Sequence, residues 1–380
     1  MNGKFQKKFI YIMRENYSVY LPQYSVGPEC YKEIGTVTKY FGKKVTIIGG
    51  KTALKKAEPS ILDALHQSGL IHLSTVWYGG NATESNVKKL VADKAVTDAD
   101  IIFGVGGGRA IDTAKAAADI LDKAYFSFPT VASNCAAASA IAVLYNDDGS
   151  LSRYYFPKKC PLHVFINMKV IADSPEELLW AGIGDALSKE CEVELASRGK
   201  ALFHTPLVGT KAATACTVPL MEFGEKALEA IKAKQPSFEL TQVTLDIVIS
   251  TGIASNLTCS AVNNKIEYYY NSSLAHCFYN AYTILPQAHH YRHGAVVAYG
   301  VLVLLTYDGQ LELRNKIAAF NKKIKLPVTL KEIGIDNEKD IDEIIKKAPD
   351  INEWTCVPYK ADQEKYKKAI LAVNEYGKTL

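Results

Sequence analysis

Two groups of residues in this chain are of types that do chemistry. The first is the stretch Phe103-Gly104-Val105-Gly106-Gly107-Gly108-Arg109-Ala110-Ile111-Asp112-Thr113-Ala114-Lys115. Residues 101–105 are apolar and read as a buried strand; consecutive glycines follow at 106–108, and then an alanine-rich segment that reads as a helix. Glycines at that corner let the backbone approach a ligand with no Cβ in the way. The helix start behind them offers free N–H groups and the positive end of a dipole, which suits phosphate. The pattern points to a nucleotide, although Arg109 stands where the common dinucleotide fingerprint has its third glycine. A tight turn without a ligand is the plainer reading.

The second group is a carboxylate and two imidazoles. Asp185 lies in Ala181-Gly182-Ile183-Gly184-Asp185-Ala186-Leu187, where an acid among small and apolar residues needs a partner. His276 sits in the half-apolar Ser273-Leu274-Ala275-His276, and His293 closes His289-His290-Tyr291-Arg292-His293-Gly294. The three together suit a divalent cation with positions open for water and substrate. Such a cation polarises a substrate oxygen or acidifies an alcohol. Zinc, iron and manganese all fit this donor set. Plainer readings stand beside it: an Asp185–Lys189 ion pair one helical turn apart, a hydrogen-bonded core histidine at 276, and surface histidines at 289 and 290. His289, His290 or water is left open as the proton acceptor.

These residues need elements to carry them. Before residue 174, β-branched or apolar runs (45–48, 70–78, 101–105) alternate with helical stretches that include residues 61–65 and 87–90. That alternation predicts a parallel sheet with helices on both faces, and ligands at the carboxyl ends of the strands. Gly49-Gly50, Gly79-Gly80 and Gly106-Gly107-Gly108 all fall at such ends, so three glycine-bearing turns are expected along one rim. Ser174-Pro175-Glu176-Glu177 reads as a helix start with a capping hydroxyl. Beyond it the pattern is amphipathic and helical, for example at 341–348 and 366–376. The expected division is an α/β domain at residues 1–173 and an all-helical domain at 174–380.

Composition narrows the function classes. At 380 residues, 48% hydrophobic and 22% charged, the chain suits two globular domains rather than a disordered one. Its formal charge of +4, with no basic run interleaved with aromatics, argues against a nucleic-acid partner. No apolar stretch is long enough to span a bilayer, and the run at 9–13, ended by Arg14 and Glu15, is too brief for a signal-peptide core. The 8 cysteines are scattered with no C-x-x-C pair, which fits reduced thiols in a cytoplasm. The lysine-rich segments at 322–325, 346–347 and 367–368 read as solvated helix faces.

Residues 104–115 resemble the G-x-G-G-G-x-x-x-D-x-A-K segment of the glycerol dehydrogenase branch of the metal-dependent (iron-containing) alcohol dehydrogenases. Pro129-Thr130-Val131-Ala132-Ser133 is similar to that branch's P-T-I-A-S loop, residues 181–187 to its A-G-I-G-D-A-L metal helix, and residues 285–294 to its second histidine segment. The motifs keep the family's order over roughly residues 20 to 330. The resemblance implies a nucleotide-binding sheet domain, a helical domain, and a cofactor and metal between them. It implies Asp185, His276 and His293 as metal ligands and catalytic residues, with zinc or iron. It places the pyrophosphate at Gly106, Gly107 and Gly108, with further cofactor contacts at Asp112, Thr130, Ser133, Ser139 and Tyr145. The implied reaction passes a hydride from a small hydroxy compound to a nicotinamide, and self-association is implied with it.

Two departures bear on specificity. Where glycerol dehydrogenases carry S-T-D, this chain reads Ser133-Asn134-Cys135, so Cys135 replaces a substrate-side carboxylate. Cys135-Ala136-Ala137 and Lys189 look more like the hydroxycarboxylate dehydrogenase relatives, and Lys189 could attract a substrate carboxylate or phosphate. After the first strand of the motif region, NAD-preferring relatives often place an aspartate; here Gly50 and Lys51 stand instead, so acceptance of NADP(H) alongside NAD(H) is expected. A dehydroquinate synthase-like lyase or cyclase using bound NAD is the competing reading. It ranks below because that architecture surrounds its metal with a glutamate and several basic residues.

Overall fold

The computed structural model describes residues 16–380; the apolar run at 9–13 lies outside them. Five strands come first along the chain: β1 (Gln23–Gly27), β2 (Lys44–Gly49), β3 (Ile71–Trp77), β4 (Ile101–Gly106) and β5 (Ala124–Pro129). An antiparallel hairpin, β6 (Ala142–Tyr145) and β7 (Leu151–Tyr155), leads to β8 (His163–Asn167). All but the hairpin form one parallel six-stranded sheet in the order β1-β8-β5-β4-β2-β3. β4 and β8 are buried along their whole length, as strands covered on both faces must be.

Successive residues of the strands serve opposite faces. Ile101, Phe103 and Val105 pack with Leu54 and Ile61 of the helix Lys51–Gln67. Ile102 turns the other way, onto Ala114 and Ala117 of the helix Gly108–Ile120 and Leu90 of the helix Glu84–Ala92. The expected helices on both faces are therefore present. β2, β3 and β4 lie side by side, so their glycine-bearing turns share one rim as the pattern implied.

From Met168 onward the chain is helical except for one hairpin, β9 (Cys259–Val262) and β10 (Lys265–Tyr269). Its turn, Asn263-Asn264, has positive φ at both residues (51° and 59°), the geometry a two-residue hairpin needs. Period counting missed it because the strands are four and five residues long. The helix start near Ser174 also differs in detail. The Ser174 N–H closes the preceding helix on the Ile171 carbonyl, and extended Pro175 takes the cap position of the helix Glu176–Ala186, so the Ser174 hydroxyl caps nothing.

The helix His293–Asp308 is buried almost all round and acts as the central post of the helical half. Val164 and Ile166 of β8 share one apolar cluster with Leu179, Ile183, Val296 and Tyr299, so the core runs from the sheet into the helices. All eight cysteines are free. Among the described residues no helix is long and apolar enough to cross a membrane.

Candidate metal centre and nucleotide rim

The rim is stitched by backbone hydrogen bonds between neighbouring turns. Gly50 N donates to the Val105 carbonyl at 3.3 Å, Tyr78 N to Gly49 at 3.2 Å, and Thr130 N to Gly106 at 3.1 Å. Gly106 has φ +149°, and a Cβ there would stand 2.8 Å from the Ala110 Cβ. Gly107 and Gly50 cap the helices Gly108–Ile120 and Lys51–Gln67 without any side-chain hydrogen bond, and neither helix has an acid in its first turn. Two adjacent helix starts are thus bare and positively polarised, ready for a dinucleotide's phosphates.

The three metal candidates, 108 residues apart at their extremes in sequence, converge. Asp185 ends the helix Glu176–Ala186, His276 lies in the first turn of the helix Leu274–Tyr282, and His293 opens the helix His293–Asp308. His293 Nε2 is 3.0 Å and His276 Nε2 3.5 Å from Asp185 Oδ1. One donor atom from each residue lies within 4.8 Å of the other two. Gly294 allows this: a Cβ on it would collide with the Ala181 carbonyl and come within 3.0 Å of Asp185 N. The two helices meet backbone to backbone, and the His293 ring reaches Asp185 because of it. Tyr279 packs edge-on against His293 with ring centroids 4.1 Å apart.

Glu192, which the sequence reading passed over, completes the centre. It is fully buried, and its Oε1 accepts from Ser273 N and His276 N, both at 2.8 Å. His276 Nδ1–H donates to Glu192 Oε2 at 2.6 Å, which leaves Nε2, the nitrogen facing Asp185, available to a cation. Burial would push the Asp185 carboxyl up, but the His293 charge and hydrogen bonds from both imidazoles hold it well below the usual carboxylate range. Burial would depress His276, yet Glu192 and Asp185 lift it to about 10. Glu192 is lowered as well, against its burial, by His276 and by the backbone donors. The centre is a place that favours positive charge, and two imidazole nitrogens with a carboxylate oxygen fit a divalent cation. Glu192→Gln is expected to weaken metal affinity by roughly tenfold to a hundredfold, measured by competition with a chromogenic chelator.

The remaining sequence candidates divide by location. Gly50, Lys51, Gly106, Gly107, Gly108 and Thr130 line the rim, with Lys51 Nζ 4.7 Å above the Trp77 ring. Asp112 instead faces inward: it accepts from Val143 N at 3.1 Å and pairs with Lys115 at 3.2 Å, holding the β6 hairpin to the phosphate helix. Tyr145 of β6 lies beneath the Arg109 guanidinium, 5.9 Å from its centroid. Ser133 is half-buried, and Ser139 is buried in a turn closed by its N–H on the Cys135 carbonyl. Cys135 is partly exposed. Lys189 is buried, not solvated, and it pairs with Asn271 rather than Asp185. His289 and His290 are exposed on a turn, their rings tilted against each other at 3.9 Å, and lie outside the metal group.

Known proteins resemble this chain along most of its length. The family model described as iron-containing alcohol dehydrogenase matches residues 26–175. Hydroxycarboxylate dehydrogenase A of Escherichia coli (strain K12) is 33% identical over 301 residues, covering 78% of this chain and 80% of its own. The chain belongs to the iron-containing alcohol dehydrogenase family. The glycerol dehydrogenase of Escherichia coli O6:H1 is 29% identical, with 93% of this chain and 95% of its own covered. The crystal structure of glycerol dehydrogenase from Schizosaccharomyces pombe superposes with a TM-score of 0.84 at 27% identity, over 96% of this chain and 92% of that one. As a member of the family, the chain is an NAD(P)-dependent dehydrogenase acting on a CH–OH group.

Proposed function

We propose that this dehydrogenase interconverts a small hydroxy compound and its carbonyl form in the crevice between the glycine rim and the Asp185–His276–His293 centre. The convergence of those three donor groups within 4.8 Å carries the reading. The metal, zinc or iron, polarises the oxygen of the reacting carbon when bound. Glu192 fixes the ring and tautomer of His276, and Tyr279 holds the His293 ring edge-on. Gly106, Gly107 and Gly108 present backbone N–H groups to the pyrophosphate, with Thr130, Ser133, Ser139 and Tyr145 around the nucleotide. In the oxidative direction the substrate loses a hydride to NAD(P)+ and a proton to solvent. The working unit is taken as a nucleotide domain (1–173) and a metal domain (174–380), self-associated, in the cytoplasm.

The test is net formation of NAD(P)H by metal-loaded enzyme from a panel of polyols, alcohols and hydroxy acids, suppressed by a chelator. A panel giving no net reduction with any metal overturns the reading.

The cofactor choice is open to a sharper measurement. Gly50 offers no carboxylate against a 2′-phosphate, and Lys51 places a cation at the same corner. NADP(H) is therefore expected to be used alongside NAD(H). Gly50 has ordinary extended dihedrals (φ −83°, ψ 143°), so Gly50→Asp folds and adds a favourable cap. It is expected to cut kcat/KM for NADP by on the order of tenfold or more relative to NAD. Strict NAD dependence in the wild type, unchanged in the variant, contradicts the assignment.

A further inference from the structure

Lys115 and Lys189 are both buried, with 2% and 6% of their surface exposed. They are satisfied differently. Lys115 has a counter-ion, Asp112 at 3.2 Å, and a carbonyl, Ile141 O at 2.6 Å. Lys189 donates to Asn271 Oδ1 at 2.6 Å and to Asn271 O at 3.1 Å, and no carboxylate of the described residues stands within ion-pair distance of it. An ammonium has three donors, so one N–H is left unengaged. A buried charge without a counter-charge is costly, which leaves this lysine short of an anion.

Its position says which anion. Lys189 follows Asp185 by one helical turn through a backbone that stays helical at Leu187. Residues so spaced have Cβ atoms about 5–6 Å apart on one face. Asn271, which holds the ammonium, immediately precedes the Ser272-Ser273 entry to the His276 helix. The ammonium is therefore held between the two segments that run on from Asp185 and lead into His276, two of the three metal candidates.

We propose that Lys189, oriented by Asn271, receives the carboxylate of the substrate, so that the substrate class is small 2-hydroxy acids and their 2-oxo counterparts. This rests on the dehydrogenase reading above. The C2 hydride of the acid passes to NAD(P)+, the hydroxyl proton is released, and the carboxylate is unchanged. One ammonium with one free N–H matches a monoanion. It is too little for a phosphate dianion, which recruits several donors.

The experiment compares 2-hydroxybutanoate with 1,2-butanediol, which differ in the carboxylate alone, and adds glycerol 1-phosphate as a third arm. Wild-type enzyme is expected to favour the acid over the diol in kcat/KM, and Lys189→Met to lower that ratio by roughly tenfold to a hundredfold. Lys189→Arg is expected to recover part of the ratio. Oxamate provides a readout without turnover: it raises the thermal midpoint of the wild-type enzyme with NADH and metal, and fails to do so in Lys189→Met. Metal content and circular dichroism confirm that the variant folds. An acid-to-diol ratio near one, a ratio insensitive to Lys189→Met, or a preference for glycerol 1-phosphate overturns the carboxylate assignment while the dehydrogenase reading stands. Absence of turnover with all three, and with the wider panel, overturns both.

Discussion

His293→Ala lowers kcat by on the order of a thousandfold or more and empties the metal centre, while NAD(P)H still binds. The side chain is 39% exposed and hydrogen-bonds Asp185, so its removal leaves a vacancy at the mouth of the centre rather than a hole in the core. Two donors do not hold a divalent cation as three do, and the oxygen of the reacting carbon then goes unpolarised. His276→Ala acts on the same quantity and also destabilises the fold. It leaves Glu192 buried with its two backbone donors and no imidazole, and breaking one side of a buried charged pair costs about 3–5 kcal/mol. The phosphate rim is built on β2, β4 and β5 and does not depend on either ring. Metal content by elemental analysis and NADH binding by fluorescence separate the two effects. Wild-type turnover or full metal content in either variant sinks the ligand assignment.

Gly294→Ala is expected to be the most damaging single methyl in the protein. The added Cβ meets the Ala181 carbonyl and Asp185 N, both backbone atoms of a packed helix, so no side-chain rotamer relieves it. The two helices must separate, at a cost near the upper end of overpacking, about 3 kcal/mol. Separation also draws His293 away from Asp185, and a displacement of roughly 1 Å at a reacting centre costs on the order of a hundredfold in rate. The thermal midpoint and the chelator-competition constant should therefore fall together. A variant with normal metal affinity would mean that the Asp185–His293 approach does not depend on this contact.

Much of the site was legible because its residues break local rules. Three consecutive glycines after an apolar strand, and an acid inside Gly-Ile-Gly-Asp-Ala, contradict ordinary helix and strand composition and so announce themselves. Glu192 obeyed the same logic and was missed. It lies seven residues after Asp185, on the same helical face and between Cys191 and Val193, and an acid in that company needs a partner just as Asp185 does. Asp112 shows what a motif alone does not tell: its place in the nucleotide segment suggested a cofactor contact, and the structure adds that its two oxygens accept from Lys115 and Val143 N.

The fold divides in the same way. The alternation of β2, β3 and β4 with helices was readable, because β2 and β4 are mostly apolar runs ended by glycine and β3 is a strand-like stretch that ends at Tyr78-Gly79-Gly80. The placement of β8 between β1 and β5 was not, since it pairs β8 with β1 about 140 residues earlier and no local pattern encodes that crossover. The chain alone determined which residue types were available at the phosphate turn and which three side chains could bind a cation. Only the tertiary structure decided that Glu192 orients His276, that Gly294 brings His293 to Asp185, and that Lys189 is buried without a counter-ion. Those facts are distances between helices remote in sequence, and burial is a property of the packed core rather than of any stretch of chain.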